Sequence, residues 1–182
     1  MKILRRADII CLQEIGVHTL EAFKEEGWTV IETKESKKIA TLVKPELKPR
    51  LMQGGLHIHR ENNTSHTLWV SIDKETALLN IYIPPETKAD QLGLLIENLT
   101  IEIQTTLLNH KAIIIGGDLN ARIRNMIEWT QATYHTMTNT FNNQIHRMNQ
   151  DITSNTHGRY IIDLARRNNL ICGTGRLSLI HI

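Results

Sequence analysis

Cysteine is scarce in this chain. Cys11 and Cys172 are the only two among 182 residues, and both sit in apolar segments. So low a count argues against a disulfide framework and for an intracellular setting, nuclear or cytoplasmic. Each thiol reads most simply as a small buried apolar group. Long apolar runs are missing too. No stretch is long enough to span a membrane, and Met1 to Asp8 lacks the apolar core of a secretory signal. No membrane partner is expected, and Asn62-Asn63-Thr64 and Asn98-Leu99-Thr100 read as chance matches to the glycosylation triplet. An excess of one charge is also absent. The 21 basic and 19 acidic residues leave +2 with nine His counted neutral. Net charge therefore makes no case for nucleic acid, while leaving room for a local basic groove. Aromatic residues are 4% of the chain. Trp28, Trp69 and Trp129 are too scattered for a base-stacking platform, and core packing is their default role.

What is present suits a globular protein. Hydrophobic residues make up 41% of a chain long enough for one domain, 1–182, with a substantial core. Ile9-Ile10-Cys11-Leu12 reads as a short buried strand, followed by a helix from Thr19 to Glu26 closed by Gly27. Strands are predicted over Thr29 to Thr33 and Ile39 to Val43, and a hairpin joins Leu56 to Arg60 with Thr67 to Ile72. Ala77 to Ile83 is a further strand, stopped by Pro84-Pro85. Leu92, Leu95, Ile96, Leu99 and Ile103 give a long amphipathic helix from about Ala89 to Leu108. Thr130 to Thr156, rich in Asn, Thr and Gln, reads as a long surface loop. A helix over Tyr160 to Arg167 and a last strand, Leu170-Ile171-Cys172, complete the pattern. Strands dominate early and alternate with helices later, which favours α/β layers.

The chemistry gathers at three strand ends. Ile113-Ile114-Ile115-Gly116-Gly117-Asp118-Leu119-Asn120-Ala121 begins as an apolar β-branched run that suits a strand covered on both faces. It ends in two glycines that let another group approach the backbone. Asp118 and Asn120, two apart, point to one side if the chain stays extended. Leu12-Gln13-Glu14 ends the first strand in an acid. Asn80 and Tyr82 in Asn80-Ile81-Tyr82-Ile83-Pro84-Pro85 share a face. Strands often end in polar residues because loops are wet, and for any single one of these that account is the better. In α/β sheets, however, sites form where strand ends gather. Glu14 and Asp118 could serve a hard divalent cation such as Mg²⁺, which takes oxygen ligands and few protein contacts.

The order LQE, NIYIPP and GGDLNA resembles the endonuclease/exonuclease/phosphatase superfamily. Lys38-Ile39-Ala40-Thr41-Leu42-Val43 is similar to a second-sheet strand of that family. The tail Asn155-Thr156-His157-Gly158-Arg159-Tyr160-Ile161-Ile162-Asp163-Leu164 through Asn169-Leu170-Ile171 resembles the endonuclease domains of non-LTR (LINE-type) retrotransposons. The likeness runs from about Ala7 to Thr174. It implies a four-layer α-β-β-α sandwich and metal-dependent phosphodiester hydrolysis with Mg²⁺ or Mn²⁺. Glu14 would be the metal ligand, Tyr82 and Asn120 would orient the scissile phosphate, Asp118 would position or deprotonate water, and Asn80 would support the site. The partner implied is nucleic acid, DNA first, with fusion to a reverse transcriptase in a complete element.

The family also carries an asparagine upstream of LQE and a closing Asp-His pair, and neither has a counterpart here. Ser178-Leu179-Ile180-His181 looks like the family's Ser-x-Ile-Asp element with His181 in place of the acid. The fold is therefore expected to be truncated at both ends, and cleavage weak or absent. A phosphatase for a small phosphoester or lipid headgroup, and a non-catalytic nucleic-acid- or protein-binding remnant, stand as alternatives. Arg122 and Arg124 are candidate phosphate contacts, with solvated loop arginines as the equal alternative. His57 and His59 have metal-pair spacing but no visible third ligand, which favours a plain strand edge.

Overall fold

A computed structural model describes residues 7–32, 39–47, 66–128 and 152–172. In chain order the elements are β1 (Ile9–Gln13), α1 (Val17–Glu25), β2 (Thr29–Glu32), β3 (Ile39–Val43), a 3₁₀ turn (Pro45–Leu47), β4 (Thr67–Ser71), β5 (Thr76–Tyr82), α2 (Ala89–Leu107), β6 (Ala112–Asp118) and α3 (Thr156–Arg167). They fall into two compact units, Met1–Ile83 with Thr105–Leu119, and Pro84–Gln104 with Asn120–Ile182.

The first unit holds both sheets. One is antiparallel in the order β1-β3-β2, and the other has the order β4-β5-β6. In the second sheet β4 runs antiparallel to β5, and β6 runs parallel to it. A parallel pair needs a crossover connection, and the chain supplies α2 between the two strands. β3 explains how the layers stack. Its alternate residues Ile39 and Val43 pack with Ile31, Leu68, Val70 and Tyr82 between the sheets. Ala40 and Leu42 face the other way, onto Leu20 and Phe23 of α1. All five residues of β3 are buried as a result. The α/β sandwich expected from the resemblance is thus built on β3, with α1 outside the first sheet and the second sheet on its inner face. Trp69 is fully buried, and Trp28 meets the Phe23 ring edge-on at 6.2 Å, so both do the packing work expected of them.

At the far end of the second sheet, Asp73 makes the turn between β4 and β5. Its Oδ1 accepts the Glu75 and Thr76 amides at 2.8 and 2.6 Å. The bond from Glu75 leads the causes that hold this carboxyl below its ordinary value. β4 therefore forms its hairpin with the strand that follows it. The predicted partner, Leu56 to Arg60, lies outside the described residues, as do Trp129, residues 130–151 of the Thr130 to Thr156 loop and the Ser178 to His181 element.

Three local expectations are corrected. The strand at Ile113 is not covered on both faces: β6 is at the edge of its sheet among the described strands, and Ile114 is 52% exposed. A β-branched run reports strand propensity, not how many neighbours the strand acquires. Leu170-Ile171-Cys172 is not a strand. The Leu170 amide closes the end of α3 on the Ala165 carbonyl, and the Cys172 amide donates to the Glu128 carboxylate. α3 also starts earlier than predicted, because Asn155 caps it through its side chain. In the second unit, Leu92, Ile96, Leu99 and Ile103 of α2 are buried at helical spacing, as the sequence predicts. Ile161, Ile162, Leu164 and Ala165 of α3 are buried likewise.

Candidate active site

Two motifs read separately in the sequence are stitched together in the first unit. β1 ends at Gln13, and Glu14 follows with φ 54°. That left-handed backbone costs a non-glycine residue about 1–3 kcal/mol and persists only where the surroundings enforce it. β5 supplies the enforcement. The Gln13 side-chain amide donates to Asn80 Oδ1 at 2.6 Å, and the Tyr82 hydroxyl donates to Glu14 Oε1 at 2.5 Å. Asn80 and Tyr82 therefore do share a face, as their spacing predicts.

The two β5 residues hold β1 differently. Asn80 is completely buried. Its Nδ2 donates to the Ala40 carbonyl at 2.9 Å, with longer contacts to the Leu12 carbonyl and Thr41 Oγ1 at 3.4 Å. An amide engaged on both its oxygen and its nitrogen is an anchor for the strand end. Glu14, in contrast, is exposed. One carboxylate oxygen accepts the tyrosine hydrogen bond, which fixes the side chain without enclosing it.

β6 delivers the second acid by register. Asp118 pairs with Tyr82, and Gly116 with Asn80. Paired residues point to one face of a sheet, and that face of β6 meets β1: a Cβ at Gly116 would stand 3.7 Å from Cys11 Sγ. Asp118, two residues on, shares that face and is exposed at the strand end. Burial pushes the Cys11 thiol up from 9.0 to about 11, which marks it as packing rather than a nucleophile. Gly117 has φ 134°, and a Cβ there would collide with the backbone of Ile81. Of the two glycines, Gly117 is the one that both conformation and close approach require, since a Cβ at Gly116 would make only ordinary contact.

Asn120 departs from expectation. The strand stops at Asp118, and Asn120 is left-handed, with φ 46°. Asp118 and Asn120 are therefore not aligned by the two-residue repeat of an extended chain. Asn120 belongs to the second unit, where its carbonyl accepts a hydrogen bond from Asn155 Nδ2 at 2.8 Å. Arg122 and Arg124 are exposed, and Arg122 Nη1 reaches Thr153 Oγ1 at 3.4 Å. His57 and His59 lie outside the described residues. Sequence reasoning quoted Gln13 and Asn155 only inside motifs and gave neither a role. Nothing but that motif membership marked them, because their partners are 67 and 35 residues away.

The donor chemistry decides which metal could fit. Among the described residues no group of three or more His, Cys, Asp or Glu could hold an ion. Glu14 and Asp118 are exposed carboxylates on facing strands. That suits a hard cation that keeps most of its water and takes one or two carboxylates.

Residues 1–149 match the model of the Endonuclease/Exonuclease/phosphatase family. The chain belongs to that family, one of phosphodiesterase-, nuclease- and phosphatase-type hydrolases whose members commonly use divalent metals. The match takes in Glu14, Asn80, Tyr82, Asp118 and Asn120. No curated protein and no solved structure gives a match. Among the described residues no helix is long and apolar enough to cross a membrane.

Proposed function

We propose that this chain is a metal-dependent phosphodiester hydrolase acting on DNA, of the kind carried by LINE-type retrotransposons. The observation that carries the reading is the Tyr82–Glu14 hydrogen bond with Asp118 in register beside Tyr82. An isolated wet strand end would not need a buried tyrosine from a second sheet to aim its carboxylate. The DNA and retrotransposon part rests on the tail motif from Asn155 to Ile171.

In this mechanism Asp118 orients the attacking water and accepts its proton, while the Asn120 amide orients the scissile phosphate, joined by the Tyr82 hydroxyl once its proton turns from Glu14 Oε1 to the phosphate oxygen. Asn80 keeps the β1 exit in place. Glu14 would hold Mg²⁺ or Mn²⁺, which when bound would neutralise charge on the phosphate and on the leaving oxyanion. Arg122 and Arg124 contact flanking phosphates. A plasmid-nicking assay with and without Mg²⁺, wild type against Asp118→Ala, tests the reading. Any nicking is expected to be weak, to need the cation and to fall ~10²–10⁴-fold in the variant. Equal rates in the two proteins would overturn it. Turnover of a small phosphomonoester in place of DNA would redirect it to a phosphatase, and salt-dependent DNA binding without nicking to a binding remnant.

A further inference from the structure

The second unit contains a clamp that the strand-end reading does not use. Asn155 lies 35 residues beyond Asn120 and makes three hydrogen bonds to Asn120 and Arg122, and one more to Gly158. Its Nδ2 donates to the Asn120 carbonyl at 2.8 Å. Its Oδ1 accepts from the Arg122 amide at 3.0 Å and from the Gly158 amide at 2.8 Å. Its own backbone amide donates to the Arg122 carbonyl at 3.1 Å. The assignment of oxygen and nitrogen is forced, since the oxygen faces two donors and the nitrogen faces an acceptor. Next to it, Ile123 bridges Ser154, and a Cβ at Gly158 would sit on the Arg122 carbonyl. The start of α3 is thereby pressed onto the segment that follows the GDLNA motif.

Capping a helix needs only the oxygen of this side chain. The nitrogen has a separate task, because it grips the carbonyl of a residue held at φ 46°. We propose that Asn155 is a positioning residue for Asn120: its amide fixes the backbone from Asn120 to Arg122, with Gly158 permitting the close approach. The consequence for catalysis rests on the function proposed above, whereas the clamp itself does not.

Asn155→Asp separates the two tasks. It retains the oxygen toward Arg122 and Gly158 and is an equally good cap, but it sets an oxygen against the Asn120 carbonyl. In the full ¹⁵N-labelled chain, the Gly158 and Arg122 amides should keep their protection from hydrogen exchange, and the thermal midpoint should stay near that of wild type. The Asn120 and Ala121 signals should move, and kcat for nicking should fall on the order of 10- to 100-fold with KM little changed. Asn155→Ala should in addition lose the protection and the midpoint. If Asn155→Asp leaves the Asn120 and Ala121 signals and the nicking rate at wild-type values, Asn155 is a cap only and the proposal fails. If the wild type shows no Asp118-dependent nicking, the functional reading fails, while the amide signals still decide the clamp.

Discussion

Glu14 and Asn120 are both non-glycine residues in left-handed backbone just past a strand, at φ 54° and 46°, yet the chain holds them by different means. Glu14 is held through its side chain, by a tyrosine from the neighbouring sheet. Asn120 is held through its backbone, by the cap of a helix. A carboxylate has two oxygens and can give one to a fixing bond while keeping the other. Left-handed backbone at such positions stores strain, and each device balances it with hydrogen bonds to partners that are themselves immobile.

Substitutions can break this comparison at graded cost. The largest effect is expected from Gly117→Ala. A side chain there meets Ile81 backbone on top of an unfavourable φ, so urea denaturation should show a loss of about 3–5 kcal/mol. A loss under about 1 kcal/mol would mean that the exit of β6 relaxes easily and that its geometry is not enforced. Asn80→Ala comes next. It strips partners from the Ala40 carbonyl and the Gln13 amide in a fully buried place, for which about 2–4 kcal/mol is expected. The same experiment on Asn155→Ala should cost only about 1 kcal/mol, the usual worth of a cap. Equal costs would mean that the two devices are equally buried, against the comparison.

The smallest effect is expected from Asp73→Asn, at the other end of the second sheet. The Asp73 carboxyl is held low, first by the hydrogen bond from the Glu75 amide. Its contribution is present above the unfolded value of 3.8 and is lost as pH falls through the lower folded value. Acid titration of stability in Asp73→Asn should therefore lack that part of the slope, with activity at neutral pH unchanged. A change in nicking at neutral pH would show that the turn and the strand exits are coupled.

The legible part of the molecule was its local chemistry. β3 and α2 are found close to where apolar patterning puts them, because period 2 and period 3.6 are properties of the chain itself. Asn80 and Tyr82 share a face for the same reason. The left-handed turn at Asn120 was not legible. Two residues two apart align only while the chain is extended, and a clamp 35 residues away ended that extension. The exposure of β6 was missed because a β-branched run looks the same at an edge as in the centre of a sheet.

The sequence by itself determined which residues could do hydrolytic chemistry and which segments carry strand or helix periodicity. The tertiary structure alone decided which strand ends meet, that Tyr82 aims Glu14 and Asn80 only anchors, and that Asn155 governs the backbone of Asn120. The physical reason is separation. Periodicity and backbone preference act over a few residues and are written in the chain, whereas hydrogen bonds spanning 35 to 68 residues exist only once sheets and helices have packed.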